Sequence, residues 1–217
     1  MSSKTIKGII FDLDGTLLDT LGDLTTAINA SADFYTLPHL TQEEVRNNIG
    51  NGFVVTVTKS LPGLDPSEIP SAVERFKAFY ATFYMNESRA YEGINELLDE
   101  LVKRGIRSCV VSNKVQSFVE ELISSRFPQF HFDLVYGENE SHLRKPHPQG
   151  LLEACKAMDL EIDEVLMIGD SKADYESALS IKMPMKAVTW GFSSEEELRS
   201  LGIKTLVRSP QEILEAL

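Results

Sequence analysis

The spacing of apolar and polar positions changes twice along this chain. Ile6 to Phe11 is a short apolar run that stops at Asp12, the pattern of a buried strand. From about Leu18 to Asn86 helical spacing takes over. Thr41 with Glu44 three residues on forms a capping box. The glycines of 47–52 then interrupt the helix, and Pro66 to Tyr84 sets Val73, Phe76, Phe79, Tyr80 and Phe83 along one side of a long helix. Near Tyr91 the pattern changes again. Ile94, Leu97, Leu98, Leu101 and Val102 predict a helix that stops at Gly105, followed by a strand over Ile106–Val111. Next come a helix carrying Val115, Phe118, Val119, Leu122 and Ile123, a short strand over Asp133–Tyr136, and a helix beginning after Pro148 with His147 as its cap. Strands at Glu164–Ile168, Met185–Val188 and Thr205–Val207 then alternate with helices at Lys172–Ile181, Ser194–Ser200 and from Pro210.

Alternation of this kind predicts an α/β fold: a Rossmann-like parallel sheet with helices on both faces. The first strand belongs to that sheet by composition, so the helical block is an insertion after it. The expected division is 1–17 and 88–217 for the sheet-bearing core and 18–87 for an all-α inserted domain. No internal repeat or low-complexity tract is present.

Composition narrows the function. Of 217 residues, 42% are hydrophobic and 25% charged, which is ordinary for a folded globular protein. The formal charge of −12 would repel a polyanion, so nucleic acid is not an expected partner. A small anion can still bind where a metal and a few lysines are concentrated. Met1 to Lys7 has no apolar core of a signal peptide, and no apolar run approaches the roughly 20 residues that span a bilayer. Cys109 and Cys155 lack metal-ligand spacing and lie in apolar patterns, which makes both core residues. A reducing, cytoplasmic setting and no membrane partner are the expectation.

In an open parallel sheet, ligands bind outside the carboxyl ends of the strands. After the first strand stand Asp12 and Asp14, two residues apart and so starting on one side, with Gly15 permitting a sharp turn. After the second stand Ser112, Asn113 and Lys114. Arg144, Lys145, Pro146, His147 and Pro148 lie between the short strand at Asp133–Tyr136 and the helix that follows it, and Gly169, Asp170, Ser171 and Asp174 follow the strand at Glu164–Ile168. Carboxylates collected on one rim are costly unless a cation or proton separates their charges. Oxygen ligands of this type suit Mg2+, with Asp12 and Asp170 as direct ligands, the backbone carbonyl of Asp14 as a third, and Asp174 orienting them from behind. Lys145, held extended by the following proline, would offset phosphate and carboxylate charge, and Ser112 could donate to a phosphoryl oxygen while also capping a helix.

These residues in this order resemble the haloacid dehalogenase-like phosphatase superfamily. Its pattern is Asp-x-Asp-Gly-Thr, a Ser or Thr, a Lys, and Gly-Asp-x-x-x-Asp, matched here by Asp12 to Thr16, Ser112, Lys145, and Gly169 to Asp174. The similarity runs from about Lys7 to Leu217, and the helical insertion resembles the family's cap. Within the superfamily the chain is most similar to the phosphoglycolate phosphatases, through 14–24, 45–52, 111–114 and 145–148. It departs from them at 91–93, where Glu92 replaces a proline, and at Ile181 to Met183, where an Ala-Gly pair is usual.

The resemblance implies an Mg2+-dependent phosphatase acting on a small phosphorylated metabolite, as a monomer or homodimer. Asp12 would be the nucleophile that forms an aspartyl phosphate, and Asp14 the general acid and then base. Asp12, Asp14 and Asp170 would form the metal site. Ser112, Asn113 and Lys145 would bind phosphate, Ser112 and Lys145 also counting as catalytic, while the cap closes over them. Alternatives are a phosphoryl mutase of the β-phosphoglucomutase kind, a pyrophosphatase or nucleotidase of the same superfamily, a dehalogenase, and a non-enzymatic binding module. A serine hydrolase built on Gly169-x-Ser171 is disfavoured because all four histidines precede Ser171. No nucleotide-binding glycine loop is present. For the leaving group, the sequence offers Asn48, Gly50, Asn51 and Gly52 as a substrate-facing turn, and Arg46 or Lys59 as a partner for a carboxylate.

Overall fold

The computed structural model describes residues 5–50, 52–215 and 217. The chain divides into two compact units: residues up to Leu18 with Ala90–Leu217, and Asp19–Arg89. These junctions lie one or two residues from the expected ones.

The first unit is built on a six-stranded sheet in the order β5-β4-β1-β6-β7-β8. Its strands are β1 (Gly8–Phe11), β4 (Arg107–Val115), β5 (Val135–Glu138), β6 (Val165–Gly169), β7 (Met185–Val188) and β8 (Leu206–Val207), and every neighbouring pair runs parallel. The central strands β1 and β6 are buried along their whole length, as a parallel sheet covered on both faces requires. Ile10, Cys109, Val111, Tyr136, Val165 and Met167 form one core cluster with Leu151, Ala154, Cys155 and Met158 of α7 (Gln149–Met158) and Ala178 of α8 (Lys172–Ser180). The alternate residues Ile9, Phe11, Val110, Leu166 and Ile168 are buried too, so both faces are covered. The remaining helices of this unit are α5 (Ile94–Lys103), α6 (Gln116–Arg126), α9 (Glu195–Ser200) and α10 (Pro210–Leu214).

Among the boundaries that differ from the sequence expectation, three bear on the site. The strand expected to end at Val111 continues to Val115, with a register shift against β5 between Val111 and Val115. The break in the ladder lets the backbone bulge, so Ser112, Asn113 and Lys114 lie within β4. Ser112 is therefore not a helix cap; Val115 precedes α6. The strand expected at Asp133 starts at Val135. His147 stands one residue before the N-cap position held by Pro148, yet its Nδ1 accepts the Gln149 N–H at 3.2 Å.

The second unit holds α1 (Leu21–Phe34), α2 (Gln42–Arg46), α3 (Phe53–Ser60) and α4 (Ile69–Phe83), the last entered through a 3-10 turn at Pro66–Glu68. The capping box at Thr41 and Glu44 is present. Ala72, Val73, Phe76 and Tyr80 form the buried stripe of α4, and Phe53 packs edge-on against Phe76 with centroids 5.0 Å apart. Leu18–Asp19 (β2) and Arg89–Ala90 (β3) form a two-stranded ribbon, so the span expected to be wholly helical begins extended, and β3 follows its end. Asp23, buried, accepts the Glu87 N–H at 2.9 Å, the Ser88 N–H at 2.8 Å and the Ser88 hydroxyl at 2.7 Å. The expected turn at Asn48, Gly50 and Gly52 precedes α3; Asn51 lies outside the described residues. No helix among the described residues is long and apolar enough to cross a membrane.

Candidate active site

β1 and β6 are paired neighbours, with Phe11 opposite Ile168 and β6 one residue longer, and each is followed at once by an aspartate. Asp12 follows β1, and its N–H donates to Ile168 O at 2.9 Å, which fixes it against the end of β6. Asp170 follows β6. The chain then turns tightly through Leu13–Leu18, where Gly15 adopts φ 81°. A side chain there would be strained and would collide with the Asp170 carboxylate, so this close approach requires glycine.

Lys145 ties the rim together. Its Nζ lies 2.8 Å from Asp12 Oδ1 and 2.6 Å from Asp174 Oδ1, and donates to Val111 O at 2.7 Å. Burial pulls the ammonium toward neutrality, but Asp12 and Asp174 outweigh it and hold its pKa above the ordinary lysine value. Asn113 holds the backbone of Lys145 at both ends: its Nδ2 donates to Lys145 O at 2.9 Å and its Oδ1 accepts the Lys145 N–H at 2.7 Å. Asn113, expected on the phosphate, thus has its side-chain amide committed to placing Lys145. Ser112 is buried at the rim, its Oγ accepting the Lys114 N–H at 3.1 Å.

Burial and then the nearby Asp174 push the Asp12 carboxyl well above the usual carboxylate range, against the pull of Lys145. The same two causes push Asp170 up to about 7, opposed by the N–H of Phe192. Asp12, Asp170 and Asp174 bring one oxygen each within 4.8 Å of one another. Asp174 is already engaged, by Lys145 at Oδ1 and by the Ser171 N–H and hydroxyl at Oδ2, 3.1 and 2.5 Å. Asp12 accepts from Lys145 and the Leu13 N–H at Oδ1, and Asp170 from the Phe192 N–H at Oδ2, so each of the three acids is held in place and each has an oxygen that could hold a cation. Three buried acids against one ammonium, with oxygen donors alone, fit a hard divalent ion. Ser171, the candidate hydrolase nucleophile, spends its hydroxyl on Asp174 as the N-cap of α8.

Asp14 is placed apart from this cluster. Lys114, buried, reaches it from β4 with Nζ 2.6 Å from Asp14 Oδ1.

The family description "haloacid dehalogenase-like hydrolase" matches residues 9–188, from β1 to the end of β7. The chain belongs to the haloacid dehalogenase-like hydrolases. Among relatives in this family, a phosphoglycolate phosphatase of Vibrio parahaemolyticus is 32% identical over 222 residues, spanning 99% of this chain and 97% of that protein. A phosphoglycolate phosphatase of Nitrosospira multiformis is 31% identical over 209 residues, spanning 94% of this chain and 92% of that one. A Lactobacillus delbrueckii subsp. bulgaricus crystal structure, provisionally described as a phosphoglycolate phosphatase, superimposes with a TM-score of 0.94 at 32% identity, covering 98% of both chains.

Two features of this hydrolase's site carry no motif signal in the sequence. Lys114 follows a predicted strand, but spacing alone does not pair it with Asp14. The second is the turn after β7, Thr189 to Phe192: the Phe192 N–H donates to Asp170 Oδ2 at 2.6 Å and the Trp190 indole N–H to Thr16 O at 3.1 Å. The rule that ligands gather beyond strand ends, applied to β7 as to β1, β4 and β6, points to this turn.

Proposed function

We propose that this chain is a cytoplasmic, Mg2+-dependent phosphatase that hydrolyses a small phosphate monoester, with 2-phosphoglycolate as the first candidate. The single observation that carries this reading is Asp12, buried between Lys145 and the oxygens of Asp170 and Asp174, with Asp14 held two residues away on a different partner. One carboxylate is set in the charged cluster and the other outside it, a division suited to a nucleophile and a separate acid–base group. The phosphoglycolate phosphatase relatives and the length over which they match support the substrate class.

In this reading the Asp12 carboxylate attacks phosphorus and the P–O bond to the leaving alcohol breaks, giving an aspartyl phosphate. Asp14 gives its proton to the departing oxygen, then takes one from the water that cleaves the acyl phosphate. Asp12 and Asp170, with the Asp14 carbonyl, would hold Mg2+, which supplies charge neutralisation between nucleophile and phosphoryl group. Lys145 and Ser112 face the phosphoryl oxygens, and Asn113 and Asp174 keep Lys145 in place. The test is phosphate release from a panel of monoesters, 2-phosphoglycolate included, with Mg2+ present. Release from phosphoglycolate, lost in Asp12→Asn, is expected. No release from any ester, or an isomerised sugar phosphate in place of free phosphate, overturns the assignment.

A further inference from the structure

The turn after β7 braces the two loops that carry the acids, and it does so through groups that belong to none of the motif residues. Phe192 donates its backbone N–H to Asp170 Oδ2 at 2.6 Å, while Asp170 Oδ1 faces the Thr16 hydroxyl at 3.5 Å. The indole of Trp190, the chain's one tryptophan, donates to Thr16 O at 3.1 Å. Between them, Gly191 lies so close that an added Cβ would collide with the Asp170 side chain and with Gly15 O. The backbone of Gly191 is outside the left-handed region, so conformation alone does not require glycine there; the close approach does. One three-residue turn therefore contacts the Asp170 carboxylate and the Gly15–Thr16 loop at once.

We infer that Trp190, Gly191 and Phe192 are positioning residues for divalent-cation binding: they fix the rotation of the Asp170 carboxylate and its distance from the loop that follows Asp12. The inference rests on the metal-dependent reading above and deepens it. The physical reason is that a carboxylate with one oxygen held by a backbone N–H presents its other oxygen in a fixed direction. Metal affinity falls when that outer support is disturbed, typically 10–100-fold.

The experiment is a calorimetric titration of Mg2+ into chelator-stripped wild-type, Gly191→Ala and Trp190→Phe proteins, each checked by circular dichroism and thermal unfolding without metal. The expected result is a Kd for Mg2+ raised at least about tenfold in Gly191→Ala and by a smaller factor in Trp190→Phe, with folded spectra retained. A merely structural role would move the metal-free unfolding midpoint and leave the Kd alone. A folded Gly191→Ala that binds Mg2+ within about twofold of wild type overturns the inference. If Gly191→Ala does not fold, a Trp190→Phe protein with wild-type affinity overturns it instead. The outcome is separable from the catalytic assignment. A wild-type protein that binds Mg2+ and releases no phosphate sinks the phosphatase reading alone; an active phosphatase whose variants keep their affinity sinks this inference alone.

Discussion

Lys114 and Asp14, 100 residues apart in the chain, meet with Nζ 2.6 Å from Oδ1. Lys114 stands one residue before the end of β4 and Asp14 in the turn after β1, yet Ser112 and Asp12, two residues before each of them, belong to a different part of the site. If Asp14 protonates the leaving oxygen, Lys114 sets where its carboxyl points. Lys114→Met keeps an unbranched side chain, one atom shorter, and removes the hydrogen-bond donor. Its kcat should fall by about 10–100-fold, part of the factor that a placed general acid supplies. The loss should be larger for an alkyl phosphate than for p-nitrophenyl phosphate, whose leaving group needs little protonation. Equal losses for both esters would show that Lys114 does not act through Asp14.

Asp12→Asn removes the nucleophile while keeping the shape of the side chain. Turnover should drop at least about a thousandfold, the scale expected when a covalent nucleophile is lost. Single-turnover phosphate release measures it, and near-normal turnover would rule out the aspartyl phosphate.

Buried acids with raised pKa values make metal-free stability depend on pH. Asp170, at about 7, and Asp12, shifted in the same direction, bind protons more tightly folded than unfolded. Their protonated forms therefore favour the folded state at low pH, and this contribution is lost as pH rises through the folded values. In chelator the unfolding temperature should fall between about pH 5 and pH 8, less steeply in Asp170→Asn. Mg2+ should raise the midpoint more at pH 8 than at pH 5, because the ionised carboxylates are then available to it. A flat profile in chelator would contradict the cluster's electrostatics.

In the helical unit, Asp23 satisfies the Glu87 and Ser88 N–H groups and the Ser88 hydroxyl. Asp23→Ala would leave buried donors without an acceptor, at a cost of about 2–4 kcal/mol. That corresponds to a fall on the order of 5–15 °C in the unfolding midpoint of a chain this size. Differential scanning calorimetry checks it, and a change under about 2 °C would show that water replaces the carboxylate.

Both thiols should be inert in the folded protein. Burial pushes Cys109 up to about 12 and Cys155 up to about 11, so neither forms thiolate near neutral pH. A disulfide reagent at pH 8 should titrate no thiol within minutes in buffer and two after denaturation. Rapid native reaction would place one of them at the surface.

The alternation of strand and helix, the insertion after the first strand, and the rim positions of Asp12, Asp170, Lys145 and Asp174 follow from the sequence, because each depends on local spacing. A strand's apolar run fixes where its carboxyl end falls, and in a parallel sheet those ends share one rim. The extension of β4 through Lys114 did not follow. A bulge is a property of two paired strands, and β5 is needed to define it.

What the sequence determined by itself was the set of chemical groups and the edge of the sheet on which they stand. Tertiary structure decided which group answers to which: Lys145 with Asp12 and Asp174, Lys114 with Asp14, Asn113 with the backbone of Lys145, and Phe192 with Asp170. Spacing along a chain sets the direction of a side chain within its own element, but pairing depends on angstrom-scale distances between elements. Those distances are set by strand order, by the β4 bulge and by close approaches such as Gly15 and Gly191 against Asp170, none of which is written in any single stretch of residues.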